Sequence, residues 1–168
     1  DRVYEINRSF RNEGVSTRHN PEFTMLEVYQ AYAGYEDMIN LTQDLICHVA
    51  REVIGKEELL YQGKVLDLKT PWRRQSFAGL VKEKFDIEPQ DDPTVMLSKL
   101  QAKGLAKDQN RLSRSQINKI VEDALEAELL VNPTFITDYF TSLCPLAKTK
   151  KDNPLISERF ELYLAGME

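Results

Sequence analysis

The feature that most restricts the fold is a pair of alternating stretches joined by a polar link. From Arg2 to Arg11, the residues Tyr4, Ile6 and Phe10 fall on one side and Glu5, Asn7, Ser9 and Arg11 on the other, which is the two-residue period of a β-strand. Glu22 to Tyr32 repeats the period, with Leu26 and Val28 on one side and Phe23, Met25, Glu27 and Tyr29 on the other. The link Asn12 to Pro21 is polar and punctuated by Gly14 and Pro21. Two strands so joined pair back antiparallel, with Tyr4, Ile6, Phe10, Leu26 and Val28 on the face suited to a core.

Helical periods follow. Met38, Leu41, Leu45, Val49 and Val53 recur at helical spacing and predict a helix over Glu36 to Ile54, closed by Gly55. Leu59 to Leu68 reads as a hairpin turning at Gln62-Gly63, and Ser76 as the cap of a short helix through Phe85. Residues 86–112 are polar and broken by Pro89, Pro93 and Gly104, with a short helix near Val95 to Lys103. Ser115 to Leu130 carries Ile117, Ile120, Val121, Ala124 and Leu125 on one stripe, and Pro133 stops it. Phe135 to Tyr139 and Arg159 to Leu164 read as further strands. Mixed strands and helices with hairpin-like links predict an α+β fold, an antiparallel sheet flanked by helices, rather than a doubly wound one. The expectation is one domain over residues 1–168, with a peripheral insertion near 86–130.

Composition narrows the function. The chain has 168 residues, 42% of them hydrophobic and 29% charged, with a net charge of −5. No apolar run approaches the roughly 20 residues of a membrane helix, and no charged-then-apolar leader opens the sequence. The acidic balance argues against a nucleic-acid clamp. The small basic groups, Arg73-Arg74, Arg111 with Arg114, and Lys148, Lys150 and Lys151, can be solvated surface or RNA contacts. Cys47 and Cys144 form no CxxC pair, which argues against structural zinc and leaves free thiols or a disulfide open. No GxxxxGK phosphate grip is present.

One face of the first hairpin gathers Arg11, Glu13, Phe23, Glu27 and Tyr29. Two readings are open on pattern alone: the solvated side of a one-sided sheet, or a site for a flat ring bearing mixed charge. The literal string bears on the choice. Phe10-Arg11-Asn12-Glu13-Gly14 followed by Arg18-His19-Asn20-Pro21-Glu22-Phe23-Thr24-Met25-Leu26-Glu27 resembles the second signature motif of class II aminoacyl-tRNA synthetases, in the form of the lysine-specific branch. The resemblance continues through Ala31-Tyr32-Ala33. It returns at Pro133 to Thr137, at Cys144 to Lys148, and at Arg159-Phe160-Glu161 to Gly166-Met167-Glu168. It is weak over 56–130. Phe140 stands where the family more often has Pro, and Cys144 where Ser is commoner.

The resemblance implies roles residue by residue. Arg11 would hold the α-phosphate of ATP and the lysine carboxylate, a task suited to a guanidinium fork. Glu13 would accept from the adenine amino group, Phe23 would stack on adenine, and His19, otherwise a surface loop histidine, would reach the outer phosphates with Arg18 assisting. Glu27 and Tyr29 would line the lysine pocket. Glu161 and Glu168 would hold catalytic Mg2+ and ATP, with Ala165-Gly166 permitting a turn between them. Lys148 matches a position usually basic. The implied activity is that of a lysine-tRNA ligase: ATP-dependent formation of lysyl-adenylate and transfer to tRNA(Lys), by a cytoplasmic homodimer with no membrane association. The resemblance also implies that this sequence is part of a larger protein. The dimer-forming first motif, the glycine-rich third motif and an anticodon-binding barrel are not in it. Two other readings are a synthetase-like ligase that attaches lysine to a protein such as elongation factor P, and a non-catalytic excised domain. His48 reads as a surface helix residue and Trp72 as packing.

Overall fold

The structure, a computed structural model, describes every residue except Glu13, Thr17, Arg18, 127–130 and Glu168. The chain divides into two compact units, Asp1–Asp37 and Met38–Glu168.

In the first unit β1 (Arg2–Phe10) pairs antiparallel with β2 (Glu22–Gln30), and Arg2 lies opposite Gln30 and Phe10 opposite Glu22. Backbone bonds from Arg11 N to the Pro21 carbonyl (2.9 Å) and from Ala31 N to the Asp1 carbonyl (3.0 Å) extend the ladder past both ends. β2 ends at Gln30, two residues short of the expected Tyr32, which sits at φ 57° in a turn. Directly opposed residues share a face, so Val3, Glu5, Asn7 and Ser9 lie with Tyr29, Glu27, Met25 and Phe23. On the other face Tyr4, Ile6, Phe10 and Leu26 are 74%, 66%, 72% and 47% exposed. The face expected to meet a core is therefore exposed: within this unit two strands supply no second layer to cover it.

α1 (Tyr35–Val49), whose residues from Met38 on belong to the second unit, is continued by a π-helical turn over Ala50–Ile54 and closed by Gly55 at φ 75°, a left-handed position where glycine carries no Cβ penalty. Its buried residues are Ile39, Cys47 and Ala50, whereas Leu45, Val49 and Val53 of the expected stripe are exposed. The buried edge is chosen by its neighbours: Gln43 Oε1 accepts from Trp72 N at 3.1 Å, and the Cys47 thiol donates to the Leu68 carbonyl at 3.4 Å. Trp72 is buried against Phe135, with ring centroids 5.6 Å apart, and its Nε1 donates to Leu68 O at 2.9 Å, which bears out a packing role. Cys47 and Cys144 are both free and buried.

The hairpin β3 (Glu58–Tyr61) and β4 (Lys64–Asp67) turns at Gln62-Gly63, both at positive φ (48° and 76°). That backbone twists with the strands it joins. β5 (Arg73–Ser76) leads into α2 (Phe77–Phe85), and the Ser76 hydroxyl caps it by accepting from Gly79 N at 3.2 Å. α3 (Pro93–Ala102) begins with Pro93 behind Asp92, whose carboxylate accepts from Thr94 and Val95 N–H. α4 (Arg114–Glu126) starts at a reciprocal Ser113–Gln116 capping box.

The last sheet has the order β5-β6-β7, with β6 (Thr134–Thr137) central and β7 (Phe160–Tyr163) at its other side. β6 and β7 are antiparallel, but β5 and β6 run parallel. The parallel pair arises because α2, α3 and α4 lie between its strands, a connection long enough to carry the chain back to the same end. Four described helices and these small sheets make an α+β fold. The main core joins Ile136 and Tyr163 to Phe77 and Val81 of α2, Met96 and Leu100 of α3, and Ile117 and Val121 of α4. Each such fully buried apolar side chain stabilises by about 1.5–3 kcal/mol. Residues read as a peripheral insertion therefore contribute Ile87, Met96, Leu97, Leu100, Ile117, Val121 and Leu125 to the same core as α2 and β6.

Candidate functional site

The candidate residues fall on two surfaces, one in each unit. On the hairpin, Arg11 stands just past β1, held by its backbone bond to Pro21. Its guanidinium carbon lies 5.4 Å from the centroid of the Phe23 ring, a cation–π contact. The shared parity expected for Arg11 and Phe23 is thus realised in space. Further along the same face Glu27 and Tyr29 are neighbours, with the Tyr29 hydroxyl 3.4 Å from Glu27 Oε1. Both are exposed. Directly opposite Glu27 is Glu5, whose Oε1 accepts from Asn7 Nδ2 at 2.6 Å. Two carboxylates face to face across a ladder are unfavourable by themselves and suit a cationic visitor. Glu5 was not singled out in the sequence. Its period placed it on this face, and only the register reveals that it faces Glu27.

His19 sits in the connecting loop, where Ser16 N donates to the His19 carbonyl and His19 N to the Ser16 hydroxyl, both at 3.0 Å. Its Nδ1 is 3.0 Å from the same hydroxyl. Glu13 and Arg18 lie outside the described residues.

In the second unit Glu161 sits on β7 and lines a cavity of about 400 Å³ together with Lys119, Glu122, Asp123 and Arg159. Its carboxylate is held from three sides. Oε2 accepts from the Tyr139 hydroxyl, and from the Tyr163 hydroxyl at 3.2 Å; Oε1 accepts from an Arg159 Nη. The side chain is only 11% exposed. Arg159 also lies 5.2 Å above the Tyr139 ring and donates to Cys144 Sγ at 2.9 Å. Burial, reinforced by the Glu161 charge, pushes the Tyr139 hydroxyl well above its ordinary pKa, so it remains a donor. Burial works against the charge on Arg159, but the Glu161 carboxylate outweighs it and raises the guanidinium's value. Burial likewise raises the Cys144 thiol, against the pull of Arg159. Sequence reading found Glu161 but none of its three holders. Arg159, just before β7, and Tyr163, at its end, lie two positions either side of Glu161, a spacing that parity alone could have flagged.

After β7 the chain reverses at Ala165 and Gly166, both at positive φ, and Leu164 and Met167 bond to each other across the turn. The turn expected there is present, and Glu168 lies outside the described residues. No group of three or more His, Cys, Asp or Glu that could hold a metal occurs among the described residues. Glu161 still fits magnesium, which takes one or two carboxylates and leaves the rest of its shell to phosphates and water. Lys148 pairs with Glu158 at 2.7 Å.

The profile of the family described as tRNA synthetases class II (D, K and N) matches residues 1–168. Similar curated proteins include a lysine–tRNA ligase of Carboxydothermus hydrogenoformans, 44% identical over the whole of this chain and 35% of that protein. A lysine–tRNA ligase of Thermotoga maritima is 42% identical, with 100% of this chain and 33% of that protein covered. One of Synechococcus is 45% identical, with 100% and 34% covered. The chain spans about a third of the length of these relatives. The profile covering every residue of the chain, together with relatives this similar along all of it, establishes that the chain belongs to the class II tRNA synthetases of the D, K and N group.

Proposed function

We propose that the protein carrying this chain is a lysine-tRNA ligase, and that the hairpin face is where ATP and lysine meet. The observation that carries the reading is the Arg11 guanidinium over the Phe23 ring, on the same face as Glu27 and Tyr29. A fork of N–H donors beside an aromatic face is what the reacting phosphate and the adenine of ATP require, and a carboxylate with a phenol suits the ammonium groups of lysine. The resemblance of the whole chain to proteins named as lysine–tRNA ligases supports the same substrates.

The lysine carboxylate attacks the α-phosphate of ATP, giving lysyl-adenylate and pyrophosphate; the terminal ribose of tRNA(Lys) then takes the lysyl group. The nucleophile of the first step is already ionised, so positioning and charge stabilisation do most of the work. Arg11 binds oxygens of both reactants and neutralises charge that grows at the phosphate. Phe23 holds the base, with Glu13 accepting from its amino group. His19 meets the outer phosphates, with Arg18 beside it. Glu27 and Tyr29 select lysine, and Glu5 adds negative charge opposite Glu27. Glu161 with Glu168 would hold magnesium, which supplies charge neutralisation on the phosphates when bound. The expected setting is a cytoplasmic homodimer, and no described helix is long and apolar enough to cross a membrane. In this reading residues 1–168 are part of one catalytic domain, and the helices within 86–130 help to build its core.

The test is lysine-dependent exchange of pyrophosphate into ATP by the complete protein, run with the other amino acids as controls, followed by charging of tRNA(Lys). Exchange driven equally by aspartate or asparagine, or lysine exchange without transfer to tRNA, would overturn the assignment.

A further inference from the structure

We infer that Tyr139 and Tyr163 are positioning residues for Glu161, which hold its Oε2 so that the remaining acceptor capacity faces a cation through Oε1. The inference rests on the proposed role of Glu161 at the magnesium-bound phosphates.

The carboxylate has about four acceptor directions, two on each oxygen. Both hydroxyls donate to Oε2, and Arg159 donates to Oε1. Oε2 is thereby filled, and one direction is left on Oε1. The hydroxyls reach Oε2 from two different elements: Tyr163 from β7 itself, Tyr139 from just beyond β6. Both tyrosines are buried. Tyr139 is 1% exposed and stacked on Phe77, with ring centroids 4.6 Å apart, and Tyr163 is 4% exposed. A carboxylate pinned at one oxygen by two buried hydroxyls has little rotamer freedom to lose on taking a cation. It also cannot swing to offer both oxygens at once.

Packing alone does not account for this pair of hydroxyls. Phenylalanine would fill the same volume against Phe77 without burying an oxygen. The Glu161 side chain, though 11% exposed, lines the cavity of about 400 Å³ and so stays open to a ligand. The three holders are therefore arranged around a charge left accessible at one point. Arg159 is itself held in place, with Cys144 Sγ as a second acceptor and the Tyr139 ring beneath it, so it occupies one direction of Oε1 and leaves the other.

The experiment uses the complete protein and Mn2+ as the probe, with free metal read from its electron paramagnetic resonance signal in the presence of ATP. Thermal unfolding is recorded on the same samples. Tyr139→Phe and Tyr163→Phe each remove one oxygen and keep the ring. Groups that orient a metal ligand typically account for about 10- to 100-fold in metal affinity, so each variant should weaken Mn2+ binding by about tenfold or more. Exchange measured at saturating metal should recover most of the wild-type rate. Glu161→Gln is the reference. If it weakens Mn2+ binding while both tyrosine variants stay within twofold of wild type, the positioning role is wrong and the metal role stands, whatever the variants do to thermal stability. If Glu161→Gln leaves Mn2+ binding unchanged, the metal role itself fails and the inference falls with it.

Discussion

Replacing Arg11 separates what the hairpin needs to hold together from what the reaction needs. The side chain is exposed, and the described geometry gives it one side-chain contact of note, the Phe23 ring at 5.4 Å. An exposed cation–π contact contributes about 0.5–1 kcal/mol. At roughly 2–4 °C per kcal/mol for a domain of this size, Arg11→Ala should lower the melting temperature by no more than about 4 °C. Catalysis should suffer on another scale. A single preorganised donor at a developing negative charge is worth on the order of 10²–10³ in rate, about 3–4 kcal/mol, and a charged two-pronged donor at least that. Arg11→Lys keeps the charge and loses the fork, so its exchange rate should fall between wild type and Arg11→Ala. The assay is lysine-dependent ATP–pyrophosphate exchange at saturating ATP and lysine, beside a thermal melt of each variant. Exchange by Arg11→Ala within about threefold of wild type would refute the role. A melting temperature lowered by 10 °C or more would show that the residue is structural.

Glu27→Gln should raise the lysine concentration needed for half-maximal exchange, by about tenfold or more, while leaving ATP binding intact, because a site built around a charged partner rejects poorly matched pairs strongly; loss of ATP binding with lysine retained would mean the two halves of the face are assigned the wrong way round. Ser76→Ala removes the oxygen that accepts from Gly79 N and should cost about 1 kcal/mol in urea unfolding, and an unchanged midpoint would show the cap is silent. Asp91 is the pH-sensitive case. Burial pushes its carboxyl up, but the Lys99 ammonium at 2.7 Å and the Glu88 N–H prevail and hold it below its ordinary value. A depressed folded pKa contributes stability that is present above the unfolded value, near about 4, and is lost as pH falls through the folded one. The stability gap between wild type and Asp91→Asn should therefore be full at pH 6 and shrink steadily below about pH 4; a gap that widens on acidification would reverse the sign of the argument.

Local chemistry was the legible part of this fold. The Gln62-Gly63 turn, the Ser76 cap, the Gly55 terminus and the Ala165-Gly166 reversal each depend on one or two residues whose backbone preference is nearly decisive. Period was legible too: the stripe Ile117, Val121 and Leu125 on α4 is buried as its spacing implies. What period cannot supply is the partner. Tyr4, Ile6 and Phe10 alternate as a core face and stay exposed, and Val49 and Val53 recur as a helix stripe and stay exposed, because spacing reports which side of an element is apolar and not what lies against it. The parallel pairing of β5 with β6 is not legible because Arg73–Ser76 is a short polar stretch with no apolar alternation to mark it as a strand. The broken, polar sequence between the two strands suggests a peripheral insertion, yet its helices are the crossover that makes a parallel pair possible and a large share of the core that covers it.

The candidate site divides along the same line. Arg11 and Phe23 are twelve positions apart, and a hairpin converts that separation into a contact through parity and a loop, both visible in the string. Glu161 is different. Its neighbour Tyr163 shares its strand and Arg159 stands just before it, but Tyr139 comes from twenty-two positions earlier, and its hydroxyl meets the carboxylate only because β6 and β7 pair in one particular register, with Ile136 opposite Glu161. A register shift of one residue would turn Glu161 to the face where Phe135 packs on Trp72 and Phe160 and bury an unpaired charge there, at a cost of several kcal/mol. That penalty ties the register of the sheet to the geometry around Glu161: the same pairing that buries Ile136 and Tyr163 in the core keeps the Glu161 carboxylate on the cavity side, within reach of its three donors.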